Sequence, residues 1–202
     1  RKHVESNARR EAASVLAAFA RTRSAGLRQE LEIGASRSLV QLLRHGTEAE
    51  VEVAEEALLD IAASPSGAYY VHRAGCVAAI CSILSKNSSQ YHQRRGCRLI
   101  RVLTKCHDAL DDLMQPSIIT ALNGCLKAGS PKSQRLACST LLLLLRQCSA
   151  AMATRARRLI PALIYLVREP ACALEVRREA ASCLERLTRE RGVRELVVAA
   201  GA

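Results

Sequence analysis

The chain of 202 residues is 49% apolar and carries 30 Lys and Arg against 19 Asp and Glu, a formal net charge of +11. Leu, Ala, Val and Ile fill the core, with one Phe, no Trp and four Tyr, a supply that favours helices over sheets, and no apolar run approaches the roughly 18 to 20 residues of a membrane span. The nine cysteines are odd in number and sit at apolar helical positions, which points to a reducing compartment, cytoplasmic or nuclear, and no signal core follows Arg1-Lys2-His3-Val4-Glu5.

Taken in chain order, the first predicted helix lies within residues 1–24 and contains Arg9-Arg10-Glu11-Ala12-Ala13-Ser14-Val15-Leu16. Nearly the same string returns as Arg177-Arg178-Glu179-Ala180-Ala181-Ser182-Cys183-Leu184, an offset of 168 residues or four lengths of 42. A small residue followed by large apolar ones at +4 and +7 marks each copy, because those positions share one face at 3.6 residues per turn. Ala12/Leu16/Phe19 is the first such stripe.

Residues 25–64 hold a short first helix, Gln29 to Ile33, and a break at Ile33-Gly34-Ala35. A second helix through Leu39/Leu42/Leu43 follows, then the turn His45-Gly46-Thr47-Glu48 and the stripe Ala54/Leu58/Ile61. Residues 65–106 repeat the plan with Ala68 to Ala74, the break Ala74-Gly75-Cys76, Ile80/Ile83/Leu84 and Gly96/Ile100/Leu103. Residues 107–148 contribute Ala109 to Gln115, Leu122/Cys125/Leu126, the turn Ala128-Gly129-Ser130-Pro131 and Ala137/Leu141/Leu144. Residues 149–190 contribute Arg155 to Ile160, Leu163/Leu166/Val167 and Ala180/Leu184/Leu187, and residues 191–202 begin another repeat with Val193 to Ala200 and Ala200-Gly201-Ala202. The partial units at 1–24 and 191–202 make the single repeat domain read as a piece of a longer array, since terminal repeats normally carry a polar cap.

With three helices, a glycine between the first and second, and a length near 42, this pattern resembles the armadillo family across nearly the whole chain. The resemblance implies an all-α, right-handed superhelical solenoid of three-helix repeats whose third helices line the concave surface. Gln115-Pro116 and Ile160-Pro161 stand where that glycine is expected. HEAT repeats, the two-helix relatives, therefore stay open locally.

Nothing in the residues points to catalysis. No Cys-x-x-Cys pair exists, and His72, Cys76 and Cys81 fall short of a zinc spacing, so the cysteines read as small packing hydrophobes and neither metal nor cofactor is expected. Gly129-Ser130-Pro131-Lys132-Ser133 lacks the spacing of a phosphate loop. The acidic run Glu48, Glu50, Glu52, Glu55, Glu56 and Asp60 lacks the order of a calcium loop and reads as a solvated helix face.

The positive charge recurs with the repeat. Counting from the small residue, position −2 holds Arg10, Glu52, Arg94, Arg135 and Arg178, and position +9 holds Arg21, Ala63, Lys105, Arg146 and Arg189. At about 100° per residue these positions lie within about 20° of each other, opposite the apolar stripe. With Arg98 at +2 and Arg186 at +6, they form the expected partner-binding set. The plainer reading is that arginines solubilise exposed faces beside Glu11, Glu179 and Glu185.

Importin-α-like armadillo proteins present Trp at +2 and Asn at +6. Here +2 holds Ser14, Glu56, Arg98, Ser139 and Ser182, so that resemblance stops. The basic face resembles instead the β-catenin mode, which implies a scaffold holding an extended acidic or phosphorylated peptide on arginines suited to carboxylates. Nucleic acid is the alternative partner, weakened by the lack of a tyrosine array for base stacking. The substrate-recruiting part of a ubiquitin ligase is another.

Overall fold

Side-chain caps start three of the described helices in the computed structural model, which describes residues 28–85, 90–189 and 191–199, with Ala12, Ser14, Val15 and Ala18 helical ahead of them. The first described unit is α1 (Arg28–His45) and α2 (Glu48–Ile61). The second is α3 (Pro65–Arg73), α4 (Cys76–Ser85) and α5 (Gln90–Leu103). A 3₁₀ turn at His107–Ala109 leads into α6 (Leu110–Leu113), α7 (Pro116–Ala128) and α8 (Pro131–Gln147). Then come α9 (Ala150–Ala153), a 3₁₀ segment Thr154–Leu159, α10 (Ile160–Arg168), α11 (Leu174–Thr188) and α12 (Arg191–Ala199). No strand occurs among the described residues.

Ser64 and Ser130 start α3 and α8 in the same way. Their hydroxyls accept the N–H groups of Gly67 and Ser133 at 3.1 and 3.3 Å. Proline follows each at the first helical position, where a missing N–H costs nothing. Between α3 and α4 the chain turns at Gly75, whose φ of 83° suits glycine alone at little strain. Pro116 and Pro161 stand in the first turns of α7 and α10 and redirect the chain where glycine is missing.

The expected break at Ile33-Gly34-Ala35 does not form, because α1 runs unbroken through Gly34. Glycine inside a helix costs only about 1 kcal/mol, and burial of Ala35 and Ser36 just after it keeps the segment packed as one rod. The first segments of the third and fourth units, at 107–113 and 150–159, are also less regular than expected, being 3₁₀ turns joined to single α-turns.

Successive units stack like on like. The third helices pack in the row α2, α5, α8, α11, and the second helices in the row α1, α4, α7, α10. The stripes Ala54/Leu58/Ile61, Ile100/Leu103, Ala137/Leu141/Leu144 and Ala180/Leu184/Leu187 are buried between these rows, as are Leu39, Ile80, Leu122 and Leu163. Position 0 must be small: a methyl group on Gly96 would lie 2.5 Å from Leu84. The expected first stripe is represented only by Ala12, which is exposed; Leu16 and Phe19 lie outside the described residues.

Ala137 occupies position 0 of α8 and is 1% exposed. Ala137→Leu should lower stability by about 1–3 kcal/mol through overpacking, measured by urea denaturation with far-UV circular dichroism. A neutral result would show that the helix contact there is looser than drawn.

Candidate functional site

The exposed side of the third-helix row collects the repeating charge. Arg94, Arg135 and Arg178 at −2, and Lys105, Arg146 and Arg189 at +9, are all exposed. Lys105 reaches back along the stack, its Nζ donating to the Ala63 carbonyl at 2.6 Å. Those two residues hold the same position in neighbouring units, so the bond sets successive +9 positions side by side. Arg98 is exposed but leans toward Glu55, with its Nη1 3.5 Å from Oε1. Arg10 and Arg21 lie outside the described residues.

On α2 the face changes sign, since Glu52, Glu56 and Asp60 are exposed there. The acidic run is not, however, uniformly solvated as expected. Glu50 is buried because its carboxylate accepts the Thr47 N–H and closes the helix start. Glu55 is 3% exposed because it faces Arg95, itself 1% exposed, with Arg95 Nε 2.6 Å from Glu55 Oε2.

That buried pair escaped the charge pattern, because Arg95 is one residue past the ladder position and reads in sequence as another surface arginine. The available signal was its facing acid: Glu55 at +1 of one unit meets Arg95 at −1 of the next. Tyr91 completes the junction. Its ring stacks 3.7 Å from the Arg95 guanidinium carbon, its hydroxyl accepts from Arg95 Nη2, and the same hydroxyl donates to Glu52 Oε1 at 2.8 Å. Glu52, the acidic interruption of the ladder, is thereby tied to the stack itself. Burial holds the Glu55 carboxyl above its ordinary 4.5, while Arg95 and Arg98 pull it back down.

Farther along, α8 and α11 enclose a cleft of about 390 Å³ lined by Leu142, Arg146, Ser182, Glu185, Arg186 and Arg189. Three residues of the expected set, Arg146, Arg186 and Arg189, meet there. Arg189 Nη2 donates to Glu185 Oε1 at 3.1 Å.

The cysteines are free, and seven of the nine are buried. Burial pushes the Cys76 and Cys138 thiols up to about 12. Cys97 is held well above its ordinary value by a hydrogen bond with Cys125 and by burial. No group of His, Cys, Asp and Glu converges for a metal among the described residues. No described helix is long and apolar enough to cross a membrane.

No protein-family model and no curated protein sequence matches the chain. Solved structures do. A designed armadillo repeat protein in complex with the peptide (KR)4 superposes with a TM-score of 0.76 at 18% identity, covering 95% of this chain and 81% of that one. A computationally designed armadillo repeat protein for modular peptide recognition gives 0.76 at 16% identity, over 100% and 83%. An armadillo-repeats-only protein from Plasmodium falciparum gives 0.68 at 15% identity, over 89% and 80%. These likenesses establish the fold as an armadillo-type helical solenoid.

Two measurements follow from the buried groups. Because the folded Glu55 carboxyl keeps its proton to higher pH than the unfolded one, its contribution to stability is full below pH 4.5 and declines as pH rises through the raised value. Arg95→Met strands that carboxylate and should cost about 3–5 kcal/mol at pH 7, with a smaller loss at pH 5, where the stranded acid is more readily protonated. Equal losses at both pH values would contradict the pairing. For the thiols, iodoacetamide at pH 8 should label half-buried Cys81 and Cys172 well before Cys76 and Cys138, as read by peptide mass spectrometry; uniform labelling of all four would contradict their burial.

Proposed function

We propose that this solenoid is a non-catalytic interaction scaffold that takes an extended acidic segment of a partner protein along its third-helix face. The observation that carries the reading is the recurrence of exposed basic residues at −2 within α5, α8 and α11 and at +9 at or just past their C-terminal ends. Side chains aligned in this way repel one another, and an anionic partner offsets that repulsion. A run of carboxylates suits such a surface because each guanidinium can hold one bidentately.

A protein of the same fold holds the basic peptide (KR)4. The net charge of +11 here disfavours a cationic segment and favours one of opposite sign. The acidic face of α2 then limits the reading to the stretch from α5 onward, since Glu52, Glu56 and Asp60 would repel the same peptide. Polarity along the face therefore gives a bound segment a direction.

Arg94→Glu/Arg135→Glu should abolish binding of a fluorescein-labelled oligoglutamate peptide in anisotropy titrations and leave helicity and melting nearly unchanged, because both side chains are exposed. Retention of full peptide binding by the double variant would refute the reading. Duplex DNA serves as the competing ligand: tighter DNA binding than peptide binding, falling steeply with salt, would move the assignment to nucleic acid.

A further inference from the structure

Position +1 of a third helix faces the next unit. Glu55 there meets Arg95 at 2.6 Å, and the Cys138 carbonyl accepts the thiol of Cys183, which stands at +3 of the following third helix, at 3.2 Å. Cys97 is the +1 residue of α5, and the buried Thr140 hydroxyl, at +3 of α8, faces it in the same way. What distinguishes this joint comes from α7. Cys125 takes the position that Leu42, Ile83 and Leu166 hold in the other second helices, and its thiol is hydrogen-bonded to that of Cys97. By repeat position the neighbouring joints offer Glu55 with Ile83 and Cys138 with Leu166. Among the described residues, therefore, only the joint between the second and third units sets two thiols at these places.

Both residues are 1% exposed. Cysteines that serve only as packing are held protonated by burial, as Cys76 is. In this pair one sulfur keeps the proton and donates it to the other: Cys97 is pushed well up, while Cys125, although buried, is drawn below its ordinary 9.0 by the Cys97 hydrogen bond. A nucleophilic sulfur with a second sulfur beside it supplies the two parts that disulfide formation needs. Cys125 also lies in the last turn of α7, where its carbonyl accepts the Gly129 N–H at 3.0 Å and exposed Lys127 and Ala128 follow. Helix ends open locally at a small free-energy cost, which admits an oxidant little larger than water.

We propose that Cys97 and Cys125 are a redox latch, closing as a reversible disulfide under hydrogen peroxide and tying the second unit covalently to the third. The Cys125 thiolate attacks one peroxide oxygen and the O–O bond breaks. The departing hydroxide takes up the proton that the thiol gave away and leaves as water, so Cys125 becomes a sulfenic acid. The Cys97 sulfur then attacks the sulfenic sulfur, its proton leaves with the hydroxyl group as a second water, and the S–S bond forms. The two thiols lose two electrons and the peroxide gains them. A dithiol reductant reopens the bond by exchange. The latch adds to a joint whose third helices are linked by Arg101 and Ser139 at 2.9 Å, and it is independent of what binds the exposed face.

Peptide mapping of the native chain tests the latch. The reduced chain is treated with a small excess of hydrogen peroxide, its remaining thiols are blocked with N-ethylmaleimide in denaturant, and unreduced peptides are identified by mass spectrometry. Cys97–Cys125 should be the main crosslink. The melting temperature should rise by about 5–10 °C, the order expected when a loop of this length is closed in a chain of this size, and dithiothreitol should restore the starting value. Cys125→Ala should lose both the crosslink and the rise. Cys97→Ala should lose them too and leave a sulfenic acid on Cys125 that dimedone traps. The mapping reads the native chain, so it decides the matter even where a variant fails to fold. Free thiols at both positions, crosslinks that join Cys81 or Cys172 instead, or a crosslink without a rise in melting temperature overturn the proposal. So does a Cys97–Cys125 crosslink no more abundant in the native chain than in concentrated urea, since the fold would then play no part in pairing them.

Discussion

The solenoid depends on how closely one third helix can approach its neighbours. Ala54, Gly96, Ala137 and Ala180 leave that space, and the contact at Gly96 shows how little is spare, since a single methyl would meet Leu84. Close approach brings backbone and side chains of consecutive units within hydrogen-bond reach. From it follow the buried stripe on one side of each helix and the continuous charged face on the other, as the two sides of one rotation.

Polar links then fix the angle between units. Along the first-helix edge His72 Nε2 meets Asp112 Oδ2 at 2.9 Å, and Arg155 Nη1 donates to Asp111 Oδ1 at 2.8 Å. Along the third-helix row Lys105 bonds the Ala63 carbonyl, Arg101 bonds Ser139, and the Cys183 thiol donates to the Cys138 carbonyl at 3.2 Å. Two lines of attachment on separate edges restrict both twist and bend. The exposed side chains of the third-helix row are thereby carried on a frame whose spacing is set elsewhere in the cross-section.

Much of this was legible from the residues. The 0/+4/+7 stripe survives in the four units from α2 onward because periodic burial is the strongest signal a sequence carries. The break at Gly75 and the continuity at Gly34 look alike in sequence, and the backbone alone separates them: Gly75 turns with a φ of 83° while Gly34 stays helical. For the face, exposure of −2 and +9 was readable from helical geometry, but the Arg95–Glu55 pair was not. A charged residue one step off a surface position changes from solvated to buried when a partner of opposite sign arrives from 40 residues away, a coincidence that periodicity does not register. The cleft at Arg186 was likewise invisible as a cleft, since it requires α8 and α11 side by side.

The polar links between neighbouring units span between 38 and 45 residues, the separations of Arg101–Ser139 and Cys183–Cys138. Each therefore joins a unit to the next one and to no other. A chain wired in this way has no distant pairing to search for, so order can propagate from any unit that forms first, and loop-closure entropy grows only slowly with the number of units. During synthesis a finished unit becomes the template for the one emerging behind it. The Tyr91–Arg95–Glu55 junction unites a stacked ring, a buried ion pair and a hydroxyl bridge between two neighbouring third helices, and so makes one such nearest-neighbour joint out of three kinds of contact.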